Sequence, residues 1–232
     1  MRRLLAILAL VTLVTPAAAI AGPLTVGMTD TFQSLTTEGW FAGGLGFGSI
    51  PPIPPAVIGT GGPAGAGDAF LQVTGVGGIG PGSRLVAING AQWTGDFLAA
   101  GIDAIGMDLI NLGASDLTIR LLFENPMGAP PTIEGVTTAG AVLPAGGGWT
   151  HVVFPIDPAS LALVVSAGGT AADLLSDTTL MRIIHASAAG DAEPVVGVLG
   201  VDNITAVPEP ATLLLLGTGA AMCSARRRRT AQ

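Results

Sequence analysis

Leu117-Thr118-Ile119-Arg120-Leu121-Leu122-Phe123-Glu124 is the stretch that decides the fold class. Leu117, Ile119, Leu121 and Phe123 fall on one side of an extended chain, while Thr118, Arg120 and Glu124 fall on the other. A period of two belongs to a strand, and a polar alternate face predicts a sheet with one side in the core and one in water. Six further segments read as strands: Ala69 to Thr74, Arg84 to Ile88, Ala104 to Asn111, His151 to Ile156, Leu180 to His185 and Val195 to Ala206. Between them stand turn-forming clusters such as Gly77-Gly78, Asn111-Leu112-Gly113 and Gly146-Gly147-Gly148. Asn89-Gly90 has the composition of a type I′ hairpin turn.

The 232 residues include 35 glycines and no tyrosine, a composition that favours short strands and tight turns over long helices. One helix is predicted from Asp157 to Val165, with Asp157 as N-cap and Pro158 at its first position. A second helical turn is predicted at Thr170 to Leu175. Seven or more strands without helical crossovers give an all-β, antiparallel sandwich. The stretch from Ala42 to Gly67, with Pro51-Pro52 and Pro54-Pro55, carries no charge and cannot be one regular element; it reads as a long surface loop, or one that contacts a ligand over a sandwich edge.

The sandwich is expected to span residues 22–206, enough for one domain with a sizeable core. Within it Arg84, Arg120 and Arg182 face 15 of the 16 acidic residues, a net charge of −12, and the chain has no lysine. Phosphate backbones repel such a surface, so nucleic acid is excluded as a partner. The single cysteine, Cys223, lies outside this span. The domain is thus held without disulfides, and thiolate catalysis and cysteine-ligated zinc or iron–sulfur chemistry are excluded.

At the N-terminus Arg2 and Arg3 precede an apolar run from Leu4 to Val14, then Pro16 and small residues offering Ala17-Ala18-Ala19 or Ala19-Ile20-Ala21 for cleavage. Residues 1–21 read as a secretory signal peptide. The C-terminus, 207–232, has three parts. Val207-Pro208-Glu209-Pro210 stays extended because each proline disfavours helix in the residue before it. An uncharged apolar run from Ala211 to Ala225 would make a membrane helix roughly 22 Å long at ~1.5 Å per residue. Arg226, Arg227, Arg228 and Arg229 form a basic stop that holds their end in the cytoplasm. This order resembles the PEP-CTERM sorting signal of Gram-negative bacteria. The resemblance implies transient residence in the inner membrane, recognition by an exosortase-type peptidase, and cleavage near Pro208 to Pro210; a permanent anchor is the alternative.

Within the predicted sandwich, Asp30-Thr31-Phe32-Gln33 followed by Gly39-Trp40 is similar to the first strand of galactose-binding-like jelly rolls, which include carbohydrate-binding modules. Gly67-Asp68-Ala69-Phe70-Leu71, Trp149 and Gly200-Val201-Asp202-Asn203-Ile204 resemble later strands of that family. The resemblance implies a structural calcium held by Asp30, Asp68 and Asp202, with Gln33 standing where the family often has an acid.

No G-x-S-x-G, H-E-x-x-H or phosphate-loop motif occurs, and the imidazoles are His151 and His185 alone. Glu124, Glu134, Asp157 and Asp173 sit in no recognisable catalytic context. No catalytic residue is therefore assigned. Sugar binding needs an aromatic platform with fixed polar groups. Trp93, in the polar context Gln92-Trp93-Thr94-Gly95-Asp96, is the ring expected at the surface, with Asp96 as its partner; Trp40 and Trp149 are expected to pack inside. The expectation is an exported, non-catalytic protein of the envelope, outer surface or extracellular matrix, associated with exopolysaccharide. Its alternatives are a carbohydrate-binding module with structural calcium and a secreted hydrolase.

Overall fold

The computed structural model describes residues 24–43, 53–80, 82–126 and 131–208. The expected signal peptide, apolar run, basic stop, Glu209 and Pro210 lie outside the described residues. Among the described residues twelve strands and one short α-helix follow in order: β1 (Thr29–Asp30), β2 (Ala56–Ile58), β3 (Phe70–Val76), β4 (Val86–Asn89), β5 (Ile102–Asn111), β6 (Leu117–Asn125), β7 (Ile133–Thr137), β8 (Ala141–Leu143), β9 (Thr150–Pro155), β10 (Leu161–Ser166), α1 (Ala171–Ser176), β11 (Leu180–His185) and β12 (Val196–Pro208). They form two six-stranded sheets in which every pairing is antiparallel. The first runs β2-β3-β12-β5-β9 with β1 beside β12; the second runs β10-β7-β6-β11-β4 with β8 beside β6.

The alternation read from 117–124 sets the interior. Leu117, Ile119, Leu121 and Phe123 of β6 meet Ile105, Met107 and Leu109 of β5 and Leu199 and Val201 of β12 in one core. At roughly 25 cal/mol per Å² of apolar surface, this contact between sheets is the main stabilising term of a domain without disulfides.

The other face of the second sheet is not in water. Leu122, Val136, Leu180 and Ile184 form a second apolar cluster with Ala186 and Ala192, contributed by the segment that follows β11. Arg120 is nearly buried and points its fork at carbonyls: Nε donates to Ala186 at 3.1 Å, and Nη1 to Thr137 at 2.8 Å and Thr138 at 2.6 Å. These bonds close the gap where β7 gives way to β8 along β6. Gly140 leaves the room, since a Cβ there would stand 2.9 Å from the guanidinium carbon. Polar alternation thus identified the strand but not its surroundings.

Three other expectations are corrected. The helix at 157–165 is one 3₁₀ turn, Pro158–Ser160, capped by Asp157 as expected, after which the β-branched and apolar run enters β10. The Asn89-Gly90 pair makes no hairpin: Gly90 is not in the left-handed region, β4 pairs with β11, and Asn89 Oδ1 accepts from Ala91 N at 2.9 Å. The loop from Ala42 contains β2, which pairs with β3. The turn at 170 is a helix, α1, with a full capping box between Thr170 and Asp173.

Candidate functional site

β1 lies along the end of β12, pairing Asp30 with Ile204. The chain then turns back through Phe32, Leu35 and Glu38, all with positive φ, and reaches Trp40. This compact turn hangs on Glu38, whose carboxylate accepts from Thr31 N and Phe32 N, both at 3.1 Å, and from Ser34 Oγ at 3.2 Å. Below it Asp30 is buried, and its Oδ2 accepts from the indole N–H of Trp40 at 2.8 Å and of Trp93 at 2.7 Å. Gln92 Nε2 adds a bond to the same oxygen at 3.1 Å and reaches the carbonyl of Glu38.

Beside this network is a groove of about 990 Å³, whose lining includes Val26, Met28, Ser34, Thr36 and Glu38 together with Asp30 and Gln92. Burial raises the Asp30 carboxyl above the usual carboxylate range despite the indole and amide bonds that oppose the shift. Glu38 is raised by burial and then by the charge of Asp30. Two perturbed acids, hydroxyls and an amide around a partly apolar concavity make a site suited to a neutral, hydroxyl-rich ligand. Among these residues the sequence nominated Asp30 alone. Glu38, Gln92, Ser34 and Thr36 belong to no motif, although Ser34-Leu35-Thr36-Thr37 between Asp30 and Trp40 is a compositional cue.

A second cluster lies on the covered face of the other sheet. Glu124 and Glu134 are cross-strand partners, and Arg182 forms an ion pair with Glu124. Burial pushes Glu124 up to about 7 against the pull of Arg182, and the neighbouring charge of Glu134 adds to the rise. His185 is buried, and its Nδ1 accepts from Thr118 N at 3.0 Å, so its ring holds the backbone; burial lowers its pKa. His151 is exposed and meets Asp108 at 2.8 Å.

The expected sugar platform is overturned. Trp93 is fully buried because its N–H seeks Asp30, whereas Asp96 is exposed and accepts from Ala99 N at 2.8 Å. Trp149, expected inside, is the half-exposed tryptophan: it stands edge-on to Phe70 with centroids 5.3 Å apart and donates to Gly61 O at 3.0 Å.

The calcium expectation does not fit either. Asp30 is saturated by two indoles and an amide, and Asp68 accepts from Gln33 Nε2 and Ala64 N, both at 2.7 Å. Asp202 is buried with Oδ1 on Asn203 N and no partner for Oδ2; burial, then Asp68 and Asp108, raise its pKa to about 7. Among the described residues no three His, Cys, Asp or Glu side chains are grouped to hold a metal ion.

Residues 206–229 match the family model described as the PEP-CTERM protein-sorting motif. The chain therefore carries that motif, which indicates export and membrane-anchored sorting through exosortase. No curated protein matches the chain. Among solved structures it is similar to a family 11 carbohydrate-binding module from Clostridium thermocellum in complex with a β-1,3-1,4-mixed-linked tetrasaccharide, at TM-score 0.54 and 13% identity over 81% of this chain and 98% of that one. It is also similar to the family 11 module of the cellulosomal cellulase Lic26A-Cel5E of the same organism, at TM-score 0.50 and 12% identity over 79% and 96%. An exo-β-agarase matches at TM-score 0.50 and 10% identity, over 80% of this chain and 26% of the enzyme. At such identities the likeness establishes the jelly-roll fold.

Proposed function

We propose that the chain is an exported, non-catalytic surface module whose sandwich binds polysaccharide in the groove beside Asp30 and whose tail is cut near Pro208 to Pro210. The observation that carries this reading is the direct union of a PEP-CTERM motif with a jelly-roll domain of the carbohydrate-binding-module type. The groove supports it by offering Glu38, Gln92 and five hydroxyl side chains beside Val26 and Met28. The non-catalytic part rests on the chemistry of the acids and imidazoles. Glu124 and Glu134 are buried within the second sheet, and His185 accepts from Thr118 N.

Glycan arrays and affinity electrophoresis of the secreted protein against the host's exopolysaccharide test the binding. Selective retention is expected, and Thr36→Arg, which puts a bulky charged side chain on an exposed rim position, should weaken it at least tenfold without lowering the melting temperature. Retention that Thr36→Arg leaves unchanged would move the binding away from this groove, and no retention on any glycan would end the carbohydrate reading. Mass spectrometry of the protein from cells and medium tests the sorting. A C-terminus between Pro208 and Pro210 in the outer fraction is expected; an intact tail in the inner membrane would make the chain a permanently anchored protein.

A further inference from the structure

The sorting motif begins inside the fold. β12 runs through Pro208, with Ala206 opposite Ile105, Val207 opposite Ala104 and Pro208 opposite Ile102 on β5. On its other side Gly27 N donates to Ala206 O at 2.8 Å, and Ala206 N donates to Met28 O at 2.9 Å. Ala206 is in the core, and Val207 and Pro208 are half-buried. The Val207 side chain lies over the bare backbone of Gly106, where Val207 Cγ2 would be 3.5 Å from a Cβ. Only Glu209 and Pro210 separate this strand from the apolar run at Ala211, a reach of about 10 Å at ~3.3–3.6 Å per residue.

A peptidase that takes its substrate as an extended segment pairs with the same main-chain groups that a sheet uses. Around Ala206 those groups are already bonded on one edge to the 27–28 segment, with β5 on the other. The enzyme cannot pair with residues upstream of the cleavage point while both neighbours hold them. We infer that the folded sandwich sequesters the first half of its own sorting motif, so that processing requires the end of β12 to come away from β5 and from the 27–28 segment. The rate of cleavage is then set by local opening at this edge as well as by the peptidase. This inference rests on the sorting reading above.

The test uses the full chain in its native host, in a Cys223→Ser background that removes the one native thiol. Ala104→Cys with Val207→Cys puts two thiols on directly opposed residues of β5 and β12, where antiparallel partners fall within bridging range. Pulse-chase labelling then follows loss of the precursor. The bridged chain is expected to be processed at least tenfold more slowly than the same chain treated with reductant. In a second arm, eight Gly and Ser residues inserted between Ala206 and Val207 release the motif with its sequence intact, and processing is expected to speed up several-fold. This arm keeps Val207 and so decides the matter even where a cysteine at 207 slows recognition by itself. Equal rates for the bridged and reduced chains, or no acceleration by the insertion, overturn sequestration. Persistence of the unmodified precursor overturns the sorting reading instead, and this inference falls with it.

Discussion

Asp202 and Glu124 are acids in places that disfavour charge. Each has a pKa of about 7 in the folded protein, against ordinary values of 3.8 and 4.5, and burial is the largest cause for both. An acid that holds its proton more tightly when folded stabilises the fold while that proton is bound, and this contribution is lost as pH rises through the folded value. Asp157, Asp173 and Glu193 have the opposite sign: hydrogen bonds from Ser160, Thr170 and Ser187 respectively lower their pKa values, so what they contribute is lost on acidification below about pH 4. The melting temperature should therefore peak near pH 4 and fall as pH rises from there to about 7, by roughly 5 °C for a domain of this size. Asp202→Asn and Glu124→Gln should each flatten the alkaline limb, as thermal melts across pH would show. A wild-type melting temperature that rises from about pH 4.5 to 7 would contradict the assignment. None of this was readable in sequence, where Glu124 falls on the polar face of a strand and Asp202 is nominated for calcium. Trp93 misled for the same reason, since polar neighbours in the chain do not reveal that an indole N–H has a buried carboxylate to reach.

At the level of elements, pattern reading found seven strands and missed β1, β2, β7, β8 and β10, several of which also contribute to the core. β3, β4, β5, β6, β9, β11 and β12 were legible within a few residues because their apolar residues repeat at a period of two or run continuously. β1, β2 and β8 have three residues or fewer, too short to show a period. β7 contains Gly135 and follows Pro130-Pro131, and β10 follows a genuine helix cap, so the local signals pointed elsewhere. The groove was less legible still, because it is made by a turn with three non-glycine residues at positive φ and by Gln92 from a distant segment. Arg120 is the side chain on which the second sheet's outer face most depends. Arg120→Ala would strand the carbonyls of Thr137, Thr138 and Ala186 and should cost on the order of 3 kcal/mol in chemical denaturation. Arg120→Lys should recover only part of this, since an ammonium lacks the fork that reaches both sides of β6. A change below about 0.5 kcal/mol for the alanine variant would mean that the fork is not structural.

For the molecule as a whole, the order in which the chain meets itself matters most. β12 is the last strand in sequence, yet it stands inside the first sheet, between β5 on one side and β3 and β1 on the other. Its partner Thr29 is 176 positions from Thr205, and closing contacts that distant is slow compared with local structure. Removing residues 196–208 would take out the strand that joins β3 to β5. The truncated domain is expected to show no cooperative thermal transition, and a sharp melt from it would refute the central role of β12.

The position of β12 also ties two fates of the chain together. The residues that complete the sheet are followed at once by the residues that carry the address. A chain broken off during synthesis, or nicked upstream of β12, lacks the closing strand and the sorting tail in the same piece. Quality control and delivery thus read the same stretch of polypeptide: a molecule that retains its address is one whose last strand has been made.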